Sequence, residues 1–349
     1  MKLRFACLLL AALPTMAAAG GVALNPIGVW AGTLGELAVK ACFNKRDAGA
    51  DYYYMKYLEP IGLAQYGEHW REEEGSWSLD VVDNDHLRGT WTSRDGAKTL
   101  PIALTLVDGR DDPAACARDS FMLPLEQAPV VRPGKRQNFN QHAYRVLSGA
   151  GQQTLELLDA GRGAASINRQ LRVLLDESPS TVAAYRAADR RAFAGNPMAG
   201  PDEVNATPAY WSSSWITVNF YRWAAGMGKS GISYGQLTWN LATGKRVDLW
   251  RWFGGADAHA DDPFYTGHAA MPAALRKLVF KDAGMDTADA DTECEANRAP
   301  AAEYLISLRD DGMDFTQDAR GDGCDLSFSL SFDKLLPVMT GEGRAAVGR

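Results

Sequence analysis

The sequence predicts an α+β protein of two domains, in which an antiparallel β domain precedes a domain with helices packed on an antiparallel sheet. The first part has short alternating runs separated by turn signals, which is typical of antiparallel strands. The second part has apolar residues at helical spacing over residues 164–193 and strand-like alternation from residue 215 onward. At 349 residues, the chain also exceeds the usual size of a single core, about 250–300 residues.

We place the first domain at residues 20–128 and expect a small barrel or sandwich. Residues 100–107 alternate, and the hairpin signals Asp83-Asn84-Asp85 and Arg94-Asp95-Gly96 fall between strand-like runs. A Gly-x-Trp triplet occurs three times. The triplets end at Trp30, Trp77 and Trp91. One interpretation is that these tryptophans lie in the core, where glycine allows the backbones to approach closely. The other is that they form stacking platforms for sugar rings.

We place the second domain at residues 139–345, after a turn-rich and charged connection near residues 128–138. Two helices are predicted within residues 164–193, and a third begins at Pro272. The strands are predicted from alternation and from the turns between them. They cover residues 215–223, 236–241, 246–252, 304–308, 313–316 and 326–332.

The strand at residues 215–223 carries the best candidate binding residues. Alternation places Trp215, Tyr221 and Trp223 on one face, opposite Ile216, Val218 and Phe220. Flat aromatic faces stack on sugar rings in proteins that hold polysaccharide. The alternative is burial of this face under the helices of residues 140–195.

The N-terminus has the pattern of a cleavable signal peptide over residues 1–19. Lys2 and Arg4 precede an apolar stretch, and the small residues at positions 17–19 favour cleavage before Gly20. No later run of about 18 apolar residues is present, so we expect no membrane span. The pattern predicts a periplasmic or secreted protein.

Four cysteines follow the signal segment, which suggests two disulfides in an exported chain. Closeness in sequence favours the pairs Cys42–Cys116 and Cys294–Cys324 among three possible connectivities. Zinc ligation is a poor alternative because no C-x-x-C pair is present. We expect no resident metal and no cofactor.

The balance of basic and acidic residues limits the kinds of partner that the chain can bind. The chain has 36 basic against 43 acidic residues, and cleavage would remove two of the basic ones. Because nucleic acids are held mainly by Lys and Arg counter-charge, this balance argues against a nucleic-acid partner. An acidic surface either attracts a cationic protein or simply keeps the chain soluble.

A resemblance to a known family covers residues 140–340. It rests on the Ile167-Asn168-x-x-Leu171 helix start, a strand at residues 214–221, the stretch 238–253, and the end of the chain from residue 308. These segments together resemble the C-terminal domain of unknown function carried by the anti-sigma factor RsiV and the peptidoglycan deacetylase PdaC. The family's Gly-Ala-Ala-His turn is replaced here by residues 226–231, so any role of that histidine is absent. The resemblance implies a non-catalytic envelope module beside cell-wall glycan or proteins that bind it.

Several catalytic patterns are present, and each has a simpler explanation. Gly231-x-Ser233-x-Gly235 fits a serine-hydrolase elbow, but the following residues indicate a strand where the elbow requires a helix. Ser331-x-x-Lys334 lacks its companion motifs. The loop with His259 and His268 is rich in aspartate and fits a cation site or a solvated acidic loop. The run Glu72-Glu73-Glu74 suggests either glycosidase carboxylates or a charged hairpin edge.

No catalytic residue is therefore assigned from the sequence. The predicted function is an exported, non-enzymatic envelope protein that binds cell-wall glycan or an envelope protein such as a lysozyme-like enzyme. The alternative is a periplasmic hydrolase that uses Ser233 or the loop of His259 and His268.

Overall fold

A computed structural model describes the chain from residue 26 onward, and its contacts divide the chain between Ala115 and Cys116 into two compact units. The predicted signal peptide lies outside the described residues, as do Cys294 and Cys324. Among the described residues, no helix is both long and apolar enough to cross a membrane. The described ranges are 26–44, 49–67, 69–112, 114–127, 130–158, 161–194, 200–224, 227, 231–262, 264–285, 299–317 and 325–348.

The first unit is a closed barrel of eight antiparallel strands, in which each strand pairs with its neighbours in sequence and the last pairs with the first. This confirms the predicted antiparallel β unit. The strands are β1 (Gly28–Leu34), β2 (Leu37–Phe43), β3 (Gly49–Tyr54), β4 (Ile61–Tyr66), β5 (His69–Arg71), β6 (Gly75–Asp83), β7 (His86–Ser93) and β8 (Thr99–Asp108).

The barrel interior is filled by the inward half of each alternating strand. Trp30 and Trp77 are buried there, which confirms the core interpretation of their triplets, and Trp91 is half-buried against the same core. Gly89 shows why the triplets need glycine: a Cβ there would lie 2.0 Å from the Ser78 carbonyl oxygen on the neighbouring strand. The glycine thus allows β6 and β7 to approach closely.

Cys42 on β2 is fully buried, and both Cys42 and Cys116 are disulfide-bonded. This agrees with the predicted Cys42–Cys116 bond. The helix that follows, α1 (Asp119–Glu126), belongs to the second unit, so the division of the chain falls before the connection predicted near residues 128–138.

The larger sheet of the second unit has seven strands in chain order, and a further strand, β9 (Val131–Pro133), pairs with β11. All its pairs are antiparallel except the short contact between β12 and β13. The seven strands are β10 (Gln137–Phe139), β11 (His142–Gly149), β12 (Gln152–Leu157), β13 (Glu203–Trp211), β14 (Trp215–Trp223), β15 (Ile232–Asn240) and β16 (Arg246–Val247).

A second antiparallel sheet has four strands, also in chain order. It consists of β17 (His268–Ala270), β18 (Glu303–Leu308), β19 (Gly312–Thr316) and β20 (Ser327–Ser331). The remaining helices of the described chain are α2 (Ala164–Arg172), α3 (Pro179–Phe193), α4 (Ala273–Asp282), α5 (Phe332–Leu335) and α6 (Gly341–Ala346).

Strand β14 is fully buried on its apolar face and is buried at Thr217 on the other. Ile216, Val218 and Phe220 join the core that includes Ile167 and Leu171 of α2. On the other face the Thr217 hydroxyl lies 2.9 Å from the Thr238 hydroxyl, and both side chains are buried. The polar pair is tolerated because each hydroxyl has the other as its partner.

Helix α2 is attached to the sheet by its side chains as well as by its apolar face. The Asn168 side chain accepts the Leu157 N–H at 2.8 Å and donates to the Leu157 carbonyl at 3.0 Å. The Gln170 side chain accepts the Trp239 indole N–H at 3.0 Å. The Asn168 bonds pair the backbone N–H and carbonyl of Leu157 at the end of β12, and the Gln170 bond ties α2 to β15.

One predicted strand was wrong in its second half. The strand expected over residues 246–252 ends at Val247, and Leu249–Phe253 form a 3₁₀ helix. The Asp248 side chain accepts the Trp250 N–H at 3.0 Å, and Gly254 ends the turn at φ +78°. An N-cap and a C-terminal glycine override the strand preference of the aromatic residues between them.

Helices α1 and α3 are joined by an ion pair next to a half-buried carboxyl. Arg190 donates from Nε to Glu126 at 2.5 Å and from Nη2 to the same carboxylate at 3.0 Å. Arg190 thus pairs with the Glu126 carboxylate, whereas the carboxyl group of the neighbouring Asp189 is desolvated. Burial, followed by the negative charge of Glu126, raises the pKa of Asp189 to about 6.

We expect Asp189→Asn to stabilise the protein above pH 6 and to leave its stability near pH 4 unchanged. The native pKa lies above the unfolded value of about 3.9, so the native state binds more protons and loses stability as pH rises from about 4 to about 6. At pH 8 the free energy of unfolding should rise by about 1–2 kcal/mol, as measured by urea unfolding.

Asp176→Asn is the control with the opposite sign. Hydrogen bonds from the Thr181 hydroxyl and from Ser178 lower the pKa of Asp176, so its removal should destabilise the protein at neutral pH. Equal pH profiles for wild type and Asp189→Asn would contradict the assignment.

Candidate functional site

A cleft of about 810 Å³ lies where the start of β14 meets the turns and helices at the end of the four-stranded sheet. Residues from five segments of the second unit contribute to it. Its lining consists of Tyr210, Ser212, Ser214, Trp215, Trp252, Leu308, Asp310, Asp311, Ser331, Phe332, Asp333 and residues 345–348.

The aromatic wall of the cleft is held rigidly. The Trp215 ring meets the ring of the buried Trp252 edge to face, with centroids 5.6 Å apart. A tight turn fixes the backbone of Trp215, because its N–H donates to Ser212 Oγ at 3.1 Å and its carbonyl accepts the Ser212 N–H at 2.9 Å. Trp215 itself is half-buried, so part of its ring faces the cleft.

The opposite rim is acidic and is formed by the turn between β18 and β19. Arg309 donates to Asp311 at 2.9 Å and to Asp314 at 3.3 Å, and these hydrogen bonds, led by that to Asp311, raise the pKa of Arg309. The carbonyl of Asp311 accepts the Phe332 N–H at 2.8 Å, which ties the turn to α5. The exposed Asp310 carboxylate has no hydrogen bond or ion pair within the described part of the chain.

The arrangement suits a ligand that has both an apolar face and hydroxyl or amide groups. Aromatic rings offer a flat surface for stacking, while Asp310, Asp333 and the hydroxyl of Ser331 supply acceptors around it. A pyranose ring has this combination of surfaces. A cleft of about 810 Å³ is also within the range of about 300–1,000 Å³ that is usual for small-molecule sites.

The three predicted ligand residues do not lie together. Trp215 lines the cleft, whereas Tyr221 packs its ring 5.4 Å from that of Tyr234, further along the strand. At about 3.3 Å per residue, Trp223 is roughly 26 Å from Trp215. The fully buried Thr217 interrupts the face between them.

Ser233 lies within β15, where it is opposite Arg222 of β14. A strand continues after it as far as Asn240, so the strand–turn–helix geometry of a nucleophile elbow is not formed. Ser331 ends β20, and Lys334 of the same pattern pairs with Asp282 at 2.6 Å. Lys334 is thus engaged away from Ser331.

The loop with His259 and His268 is an internal hydrogen-bond network. Asp257 accepts the backbone N–H groups of His259 and Gly267, each at 2.9 Å. His259 Nε2 lies 2.8 Å from a Glu303 oxygen, and the buried His268 stacks on Tyr265 with centroids 4.3 Å apart. In the described ranges, no three His, Cys, Asp or Glu side chains are grouped to hold a metal ion.

Sequence reasoning missed most of the cleft. Asp310 and Asp311 lie in the turn between the predicted strands at residues 304–308 and 313–316, but no local signal places that turn beside Trp215. Tyr210 and Asp333 carry no motif at all. Their proximity is created by the packing of one sheet on the other.

Comparison with family models and with curated proteins found no relative of this chain. The functional assignment therefore depends on the residues and geometry of the cleft.

We expect Gly343→Ala to disturb the floor of the cleft. A Cβ at Gly343 would lie 2.8 Å from both the Cβ and the carbonyl oxygen of Trp252, so α6 must shift away from the 3₁₀ helix. Such overpacking costs about 1–3 kcal/mol. The loss should appear as a lower urea midpoint together with altered near-UV tryptophan dichroism.

Gly341→Ala is the matched control in the same helix, because a Cβ there meets no atom within 4 Å. It should leave stability unchanged or slightly raised. Equal effects of the two substitutions would contradict the close contact between α6 and Trp252.

Proposed function

We propose that this protein is an exported, non-enzymatic component of the cell envelope, periplasmic or secreted, that binds cell-wall glycan in the Trp215 cleft. The observation that carries the proposal is the pairing of a rigid aromatic wall with an acidic and hydroxyl-bearing rim in one cleft. The wall supports stacking of sugar rings, and the rim supports hydrogen bonds to their hydroxyl and acetamido groups.

The aromatic wall favours a sugar over a purely charged ligand. Because Trp215 is backed by the buried Trp252, its ring is oriented before any ligand binds. A pre-oriented ring loses little conformational entropy on binding. This is the property that a weak, extended ligand such as a polysaccharide requires of its site.

The acidic rim favours glycans that carry neutral or amino-substituted sugars over anionic ones. Asp310, Asp311 and Asp333 line one side of the cleft, and the chain as a whole has a net charge of −7. Repulsion would weaken the binding of nucleic acids and of uronate-rich polymers.

Export is supported by the N-terminal pattern over residues 1–19 and by the disulfide-bonded Cys42 and Cys116, which are typical of an oxidising compartment. The resemblance of residues 140–340 to the RsiV and PdaC module points to the same location.

A protein ligand such as a lysozyme-like enzyme is the second candidate. Lysozyme-like enzymes are often basic, and the same three aspartates would receive Lys or Arg side chains. The hydrolase alternative has less support, since Ser233 lies in a strand and His259 and His268 belong to the network around Asp257.

We expect the mature protein to bind N-acetylglucosamine oligosaccharides or peptidoglycan fragments. The substitution Trp215→Ala should weaken that binding about 10- to 30-fold, because anchor side chains contribute about 1.4–2 kcal/mol to the binding free energy. Titration calorimetry measures the affinity. Lysozyme is titrated in parallel as the protein candidate.

Trp223→Ala is the matched control, because Trp223 is a half-buried tryptophan on the same face of β14 but outside the cleft. Its affinity for glycan should equal that of wild type. Absence of heat with every glycan, or equal losses in both variants, would overturn the proposed site.

A further inference from the structure

The wall of the N-terminal barrel is open at one place. Strand β5 has only three residues and pairs with residues 64–66 of β4. Among the described residues, Gly62 and Leu63 pair with β3 alone, so β4 and β6 are not bridged beyond the end of β5. A cavity of about 690 Å³ lies at this opening.

A carboxylate reaches into the barrel at the opening. Glu72, directly after β5, accepts the Trp91 indole N–H at 2.6 Å and the Tyr52 hydroxyl at 3.0 Å. Tyr52 is buried in the barrel core, and the ring of Trp91 is brought close by Gly75, where a Cβ would lie 2.7 Å from that ring. The position of the carboxylate is thus fixed by two donors on the inner side of the wall.

The Glu72 carboxylate accepts its hydrogen bonds from uncharged groups. Both of its donors are neutral, and within the described chain no Lys or Arg forms an ion pair with it. Burial, and then the charge of Glu72, raises the pKa of the Tyr52 phenol. A carboxylate with two accepted hydrogen bonds also retains free lone pairs for a further donor.

One buried donor of the barrel core has no hydrogen bond among the described residues. The indole N–H of Trp77 is buried and has no hydrogen-bond partner among the described residues. Its ring lies 4.7 Å from that of Tyr52. Native proteins rarely leave such a donor unpaired, and exceptions are frequent at sites that bind something.

The cavity walls suit an aliphatic stem. Small and apolar side chains from β3 and β4 form one side, and the Tyr66 ring, with the Arg71 guanidinium 4.9 Å above it, forms the rim. Asp51 and Glu73 also line the cavity, which adds two carboxylates to that of Glu72. The apolar side consists of Gly49, Ala50, Gly62, Leu63 and Ala64.

We propose that this opening is a second binding site, which accepts a primary ammonium or guanidinium group on an aliphatic stem. The charged end binds the Glu72 carboxylate, and the stem lies along the small residues of β3 and β4. A free polyamine and a Lys or Arg side chain of a basic polypeptide share this chemistry. The site lies in the first unit and does not depend on the glycan cleft.

The test is calorimetric titration of the full mature chain at low and at physiological salt with cadaverine, spermidine and hexalysine. Glu72→Gln should bind at least 10-fold more weakly, because a charge-assisted hydrogen bond becomes a neutral one. Glu74→Gln, an exposed neighbour outside the cavity, removes the same charge and should bind as wild type does. Thermal melting establishes that both variants are folded.

Gly62→Leu tests the opening without altering Glu72. A Cβ at Gly62 meets only an Asp51 oxygen, at 3.8 Å, so a larger side chain is accommodated at this position in the cavity lining. Binding should be lost while the melting temperature is retained.

The three titrations also distinguish the source of the cation. Binding of cadaverine and spermidine indicates a free polyamine, and binding of hexalysine alone indicates a basic polypeptide. Absence of binding by wild type with all three probes would overturn the proposal, as would equal affinities of Glu72→Gln and Glu74→Gln or an unaffected Gly62→Leu.

Discussion

The second unit depends on the burial of β14, whose apolar face is fully buried and whose other face is buried at Thr217. The helix that carries Ile167 and Leu171 covers the apolar face, and Trp215 on the other face packs against the core of the four-stranded sheet. The Thr217 and Thr238 hydroxyls are tolerated inside only because they bond to each other.

The cleft is a consequence of that arrangement. Coverage is complete at Thr217 and incomplete at Trp215, where the first residue of β14 emerges beside the turn that carries Asp310 and Asp311. Trp215 is therefore supported by the core on one side and accessible on the other. A binding residue placed in this way is rigid without a dedicated scaffold, and the acidic turn is close to it because both belong to elements packed on one core.

Local patterns predicted many of the elements but missed β9 to β13, and they predicted the site poorly. Alternation and turn residues located β8, β14, β18 and β19, and Pro272 marked the start of α4. They failed at residues 249–253, where the capping by Asp248 and Gly254 outweighed an aromatic, strand-like composition. The joining of Trp215 to Asp310 and Asp333, and of Glu72 to Tyr52 and Trp91, arises from contacts distant in sequence. Periodicity contains no information on such contacts, since it reports only which face of one element is apolar.

The function of the cleft can be decided by NMR of indole N–H resonances in protein labelled with ¹⁵N-tryptophan, assigned by substitution and titrated with N-acetylglucosamine oligosaccharides. If the cleft binds glycan, the resonances of Trp215 and Trp252 shift in a saturable way, while those of Trp77 and Trp91 in the barrel stay unchanged. Shifts confined to other tryptophans, or no shift at any concentration of ligand, would contradict the assignment.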